Sequence, residues 1–299
     1  LLKYVSHTRN QVSPGVDEVV ITMQDDKYPV TVKLHYVAYQ KENLIKTFTE
    51  ISHREKKPVQ LHKYASSMLH LNRANYSGDW ASEAHVKEQP LEFGKKTIDT
   101  KLGARANMFC SPFFQLALDG KSEENQGEVL VGTLGWTGNF SFVFEVDNKN
   151  ELRVISGINP YASEYSLKPN EIFRTPDFYF TYSFTGKGQA SRNFHDWARK
   201  YQVKDGNQTR MTLLNNWEAT YFDFDEAKLV KLMDDAVELG VDMFLLDDGW
   251  FANKYPRSGD HQGLGDWDET ADKLPHGIGY LTEAAKKKSI KIGIWIEPE

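Results

Sequence analysis

The sequence predicts a β-sandwich followed by a parallel β-α-β-α-β segment. Three observations predict it. Up to about residue 190, short runs rich in Val, Ile, Tyr and Phe alternate with turn residues. Beyond that point the hydrophobic period changes to that of amphipathic helices alternating with short apolar runs. Those apolar runs each end in a cluster of polar and aromatic residues.

The sandwich strands are read from Glu18–Met23, Val30–Tyr39, Gly127–Leu134, Phe140–Val146, Leu152–Ile155 and Asp177–Phe184. Asp119-Gly120, Gly138-Asn139 and Asn159-Pro160 mark turns between strands, and the spacing is that of an antiparallel sandwich. Tyr76-Ser77-Gly78-Asp79-Trp80 reads as a turn carrying a packed Trp. Gly188–Lys200 is a helix with Phe194, Trp197 and Ala198 on one face. A domain boundary is expected between Lys200 and Arg210, giving domains of residues 1–203 and 204–299.

The second domain opens with a strand at Met211–Trp217. Asp225 caps a helix that runs to Leu239, with Leu229, Leu232, Met233, Ala236 and Leu239 on its apolar face, and Gly240 stops it. Val241–Leu246 is apolar throughout, as in a strand buried on both faces. After a long loop, Gly249 to His276, come a helix at Gly279–Lys288 and a strand at Ile290–Ile296. This order implies parallel strands joined by right-handed crossovers.

Composition excludes several function classes. The chain has 299 residues, 40% hydrophobic and 26% charged, which is globular rather than disordered. A net charge of −6 without a long basic run argues against nucleic acid. Lys286–Lys288 reads as a solvated helix end that complements the helix dipole. Cys110 is the only cysteine, so no internal disulfide can form. No apolar stretch reaches membrane-spanning length. The nine His show no metal-ligand spacing, and nucleotide and dinucleotide fingerprints are lacking, so neither metal nor cofactor is expected. The expected compartment is cytoplasmic; the start at Leu1 without Met leaves periplasmic or secreted locations open.

The chemistry is expected where the parallel strands end. These ends read Asn215-Asn216-Trp217-Glu218, Asp247-Asp248-Gly249-Trp250 and Trp295-Ile296-Glu297-Pro298-Glu299. In a parallel barrel such ends converge on the substrate-binding face. Adjacent carboxylates at Asp247 and Asp248 repel each other and need a partner, such as vicinal sugar hydroxyls or a divalent metal. One could instead cap the next loop while the other faces solvent. Trp217, Trp250 and Trp295 could stack on a sugar face, although core packing is the commoner use of any single Trp. Glu297 and Glu299 could serve as acid, base or acceptor, or form a salt bridge to a neighbouring strand. Leu264-Gly265-Asp266-Trp267 could close over the site or anchor its loop.

These residues carry a family resemblance. Leu214-Asn215-Asn216-Trp217-Glu218-Ala219-Thr220-Tyr221-Phe222-Asp223, followed by Leu245-Leu246-Asp247-Asp248-Gly249-Trp250-Phe251, resembles family 36 of the glycoside hydrolases, the larger microbial α-galactosidases. Leu264–Trp267, Lys273-Leu274-Pro275-His276-Gly277 and Gly293–Glu299 match in order and spacing. The first half is similar through Tyr76–Trp80, Gly138-Asn139-Phe140, Gly157-Ile158-Asn159-Pro160 and Phe173-Arg174-Thr175-Pro176. It departs from the family at Ala104–Pro112, which suggests a divergent subgroup.

The resemblance implies a sandwich and the incomplete start of a (β/α)8 TIM barrel. It implies retaining hydrolysis of terminal α-galactosides such as melibiose and raffinose-type sugars, and a homo-oligomer, by resemblance a tetramer. Trp217 then corresponds to a first-strand pocket residue, Asp247 and Asp248 to the pair that holds the galactose 4- and 6-hydroxyls, and Trp295 to the aromatic wall, with Trp250 beside them. The catalytic aspartates of the family lie on later strands, beyond Glu299, so no catalytic residue is expected here and the chain alone is expected to be inactive. Three alternatives stand beside this reading: galactosyl transfer of the raffinose synthase type, a non-catalytic galactoside-binding remnant, and a metal-dependent barrel hydrolase using Asp247 and Asp248.

Overall fold

The computed structural model describes residues 1–73, 75–81, 86–101 and 110–297. The chain divides into two compact units, Leu1–Asn207 and Gln208–Glu299.

In the first unit the described strands are β1 (Leu2–Ser13), β2 (Val16–Asp25), β3 (Val30–Tyr39), β4 (Leu44–His53), β5 (Val59–Leu61), β6 (Ser67–Asn72), β7 (Tyr76–Ala81) and β8 (Val86–Leu91). They continue with β9 (Gly94–Asp99), β10 (Phe113–Leu118), β11 (Glu128–Gly135), β12 (Phe140–Val146), β13 (Glu151–Ile158), β14 (Tyr165–Leu167), β15 (Ile172–Arg174) and β16 (Asp177–Ser183). A large sheet runs β1-β2-β3-β4-β16-β11-β10-β7-β8, with β15 added to β4, and a smaller one runs β6-β13-β12-β9. Their facing sides share a core of Phe114, Leu116, Leu130 and Phe178 from the large sheet with Phe140, Phe142, Phe144, Leu152 and Val154 from the small one. β12 shows why the sequence folds so: its burial alternates strictly, with Phe140, Phe142, Phe144 and Val146 inward. Each fully buried Phe contributes about 2 kcal/mol by burial alone. Gly132 is required by this packing, because a Cβ there would lie 2.5 Å from the Phe114 ring and 2.8 Å from that of Phe178.

The other side of the large sheet is covered by helix α1 (Lys187–Trp197), which widens into a π turn over Ala198–Gln202. Trp197 packs with Leu44 and Tyr179, and Phe194 and Ala198 join them, as the helical face predicts. Tyr76–Trp80 corrects the sequence reading: it is strand, not turn. Gly78 pairs with Leu116 and Gln89 inside the ladder, so cross-strand pairing overrides the local turn chemistry of Gly and Asp. At the far edge, β1 pairs with β2 and is exposed along its whole length. The stretch Ala104–Phe109, where the sequence departs from the family pattern, lies outside the described residues.

The second unit is built from β17 (Leu213–Asn215), α2 (Trp217–Thr220), α3 (Glu226–Glu238), β18 (Met243–Leu246), α4 (Gly277–Lys287) and β19 (Lys291–Ile294). The strands pair in parallel in the order β17-β18-β19. The Asp225 carboxylate accepts the Lys228 N–H at 2.8 Å and caps α3. Leu229, Met233 and Ala236 are buried, whereas Leu239 lies past the last turn at 71% exposure, which corrects its expected place on the apolar face. Gly240, at φ 74°, ends the run. Lys286 and Lys287 occupy the last turn of α4, and Lys288 pairs with Asp234 of α3.

β18 differs from the expected strand buried on both sides. Phe244 and Leu246 are fully buried in the core shared with α3 and α4, while Met243 and Leu245 on the opposite face are half-buried. An apolar second face is what a barrel strand presents to the barrel interior. No helix among the described residues is long and apolar enough to cross a membrane.

Candidate carbohydrate site at the strand ends

The site is built where β17, β18 and β19 end. β17 stops early because the Asn215 side chain bends the backbone: its Oδ1 accepts the Trp217 N–H at 2.7 Å, an Asx turn that starts α2. Trp217 therefore stands on a helical turn two residues beyond the strand, not on the strand as the sequence suggested. It is half-buried, edge-on to Phe222 at 5.0 Å and to Tyr221 at 5.3 Å.

Asn215, the last residue of β17, and Asn216 just beyond it organise the end of β18. Asn216 is fully buried; its Oδ1 accepts the Asp247 N–H at 2.7 Å and its Nδ2 donates to Thr220 Oγ1 at 2.9 Å. Asn215 Nδ2 donates to Asp247 Oδ2 at 2.5 Å. Asp247 Oδ1 accepts the Asp248 N–H at 2.7 Å. The Asp247 carboxylate is thus oriented by a neighbouring amide yet remains half-exposed, with lone pairs left to accept hydroxyls.

Asp248 is placed differently. It is 6% exposed, and its charge is met by Arg257, 4% exposed, from the following loop. Arg257 Nε donates to Oδ1 at 3.0 Å and to Oδ2 at 3.3 Å, and Nη2 donates to Oδ2 at 2.8 Å. Nη1 donates to the Gln262 carbonyl at 2.9 Å. The hydrogen bonds it donates to Asp248 hold the guanidinium above its usual range against the opposing pull of burial. Lys273 supplies a second cation: its Nζ donates to the carbonyls of Gly249 at 2.9 Å and Arg257 at 3.0 Å, over the Phe224 ring at 4.6 Å. Burial pushes its ammonium below the usual range. Gly249, at φ 100°, makes the turn that separates the Asp pair from Trp250.

Of the three candidate tryptophans, Trp295 is half-buried beside the site, stacked with Phe251 at 6.3 Å and edge-on to Trp267 at 6.3 Å. Trp250 is 3% exposed in the core and donates its indole N–H to the Trp295 carbonyl at 2.9 Å. That position gives Trp250 a supporting place behind the strand ends rather than a stacking face. Trp267 packs against Phe251 at 4.6 Å, so this part of the long loop is anchored to the core. Glu297 is half-buried and its charge favours that of Arg257; Glu299 lies outside the described residues.

The structure therefore brings Trp217, Asp247, Asp248 and Trp295 to one end of a three-stranded parallel sheet. Arg257 carried no periodic signal, its one clue being a pair of adjacent acids in need of a partner; Lys273 stood in a family-matching stretch, Lys273–Gly277, that gave it no role. Among the described residues no cluster of three or more His, Cys, Asp or Glu is arranged to hold a metal ion.

Comparison with known proteins bears on the family of the chain. Residues 2–168 match the family model for the glycosyl hydrolase family 36 N-terminal domain, and residues 172–299 match that for melibiase. The chain is 32% identical over 305 residues to alpha-galactosidase Mel36A of Lactobacillus acidophilus, covering 100% of this chain and 41% of that protein. It is 32% identical to alpha-galactosidase 2 of Hypocrea jecorina, covering 95% of this chain and 40% of the other. The crystal structure of the family 36 alpha-galactosidase AgaA from Geobacillus stearothermophilus superposes with a TM-score of 0.90 at 30% identity, covering 100% of this chain and 44% of that one. A variant of AgaA solved in complex with raffinose superposes with a TM-score of 0.89. The chain thus spans about two-fifths of the length of the curated relatives it matches. A family 36 N-terminal domain running into melibiase sequence accounts for both of its units: the chain belongs to glycosyl hydrolase family 36.

Proposed function

We propose that this chain supplies the sandwich (residues 1–203) and the opening of the barrel (residues 204–299) of a retaining α-galactosidase acting on melibiose- and raffinose-type sugars. The observation that carries the reading is the convergence of an oriented acid pair and two half-buried tryptophans on the carboxyl ends of parallel strands in a family 36 chain. Asp247 and Asp248 accept the galactose 4- and 6-hydroxyls. A site built around an axial 4-hydroxyl rejects the glucose epimer, because carboxylate lone pairs oriented for that hydroxyl are then left without it. Trp217 and Trp295 wall the pocket, and Trp250 backs it. Retention requires a nucleophile and an acid/base flanking the bond; in this reading both stand on later strands of the complete polypeptide. The complete enzyme is a cytoplasmic homo-oligomer, a tetramer on the family pattern.

The test is hydrolysis of melibiose by the complete polypeptide, with the released galactose followed by proton NMR. The expected first product is α-galactose, and Asp247→Ala is expected to lower kcat/KM at least about a hundredfold, the cost of a lost hydrogen-bonded charge. Residues 1–299 alone are expected to release none. β-Galactose as first product, or turnover by residues 1–299 alone, overturns the reading.

A further inference from the structure

We propose that Arg257 is a positioning residue for galactoside recognition and that it acts through Asp248; this rests on the functional reading above.

Two carboxylates on consecutive residues cannot both be presented to a neutral ligand in a water-poor pocket without a counter-charge. The fold supplies one by returning the loop after β18 to its own starting point. Arg257, nine positions beyond Asp248, is as buried as its partner and grips both carboxylate oxygens with the planar fork that a lysine lacks. Its position is fixed on every side. Nη1 is held by the Gln262 carbonyl, the Phe222 and Phe251 rings each lie 5.8 Å from the guanidinium carbon, and Lys273 holds the Arg257 carbonyl.

The clamp has two consequences for the acid pair. It cancels the Asp248 charge beside Asp247, so that Asp247 is not set against a bare buried anion. It also fixes the Asp248 plane: the lone pairs not spent on Arg257 can face only outward from the fork. Phe222, which flanks the guanidinium, also packs edge-on to Trp217. Through that ring the same residue borders the aromatic wall.

The test uses the complete polypeptide as wild type and as Arg257→Met, Arg257→Lys, Asp248→Asn and the Arg257→Met/Asp248→Asn double variant. Galactose affinity is measured by titration calorimetry, with thermal unfolding recorded alongside. Arg257→Met is expected to weaken binding roughly a hundredfold, because it strands a buried carboxylate. Arg257→Lys is expected to recover only part of this, roughly tenfold, for want of the fork. The double variant is expected to bind no worse than Asp248→Asn alone, since a residue that acts only through Asp248 has nothing left to position. Should Arg257→Met fail to fold, Arg257→Lys with its Asp248→Asn double carries the same comparison. Losses that multiply in the double variant, or wild-type affinity in Arg257→Met, overturn the assignment while leaving the galactosidase reading intact. A wild-type polypeptide that binds no galactose removes both.

Discussion

Replacing Trp250 with Phe separates a packing role from a stacking role at the strand ends. Trp250 is 3% exposed, its ring packs against Phe251 at 5.3 Å and Trp267 at 6.3 Å, and its indole N–H donates to the Trp295 carbonyl. The smaller ring forfeits burial worth about 2 kcal/mol, including the space left behind. The missing donor leaves the Trp295 carbonyl without this partner, at about 1 kcal/mol. The second unit should therefore lose roughly 3 kcal/mol, which moves the urea midpoint of its unfolding down by roughly 1.5 M at a slope of about 2 kcal/mol/M. Circular dichroism is the suitable probe, because the substitution itself alters tryptophan emission. Galactose affinity of the complete polypeptide should fall less than about tenfold, since the substituted ring touches no sugar and only loosens Trp295. A midpoint shift under roughly 0.3 M together with a large loss of affinity would refute the reasoning, because it would make Trp250 a ligand-facing surface.

Two further outcomes follow from the second unit. The Asp242 carboxylate accepts the Thr212 N–H and Oγ–H, each at 2.8 Å, and the backbone bond first, then the hydroxyl, holds it below its usual range. A carboxyl with a depressed folded pKa stabilises above its unfolded value, about 3.9, and loses that contribution as pH falls through the folded one. The stability gap between wild type and Asp242→Asn, from urea titrations at several pH values, should be constant at neutral pH and close on acidification. A gap that widens in acid rejects the linkage. Gly249→Ala forces a side chain into φ 100° and to 3.0 Å from the Phe222 ring. It should cost about 2 kcal/mol of stability and weaken galactose binding through the displaced acid pair, and thermal unfolding unchanged by the substitution rejects it.

Much of this organisation was legible in the sequence because its signals are local. The strict alternation of Phe140, Phe142 and Phe144 needs only the period of a strand, and Asp225 before an apolar-periodic run needs only the geometry of a helix start. The acid pair and the tryptophans stood out by position after apolar runs. What escaped was decided by contacts across the chain. Arg257 sits in a loop with no period, and its meaning lies in a carboxylate nine residues earlier. Trp217 and Trp250 carry identical side chains at similar strand ends, yet one is half-exposed and the other enclosed, because Asn215 turns the first outward and Phe251 and Trp267 cover the second. Tyr76–Trp80 became strand because β10 and β8 flank it, which no window of five residues contains.

The β1 strand has a practical consequence for anyone handling the protein. Its outer edge offers a row of backbone donors and acceptors with no ladder partner among the described residues, along twelve exposed positions. Such an edge is a template for intermolecular β-pairing. Lys3 and Arg9, the strand's lysine and arginine, are each paired with an acid of the adjoining hairpin, Asp26 at 2.6 Å and Asp17 at 3.5 Å. With those charges neutralised in place, the edge itself offers little like-charge repulsion, and what keeps copies apart is the net charge of −6, whose repulsion salt screens. Concentrated stocks of this polypeptide belong in dilute buffer.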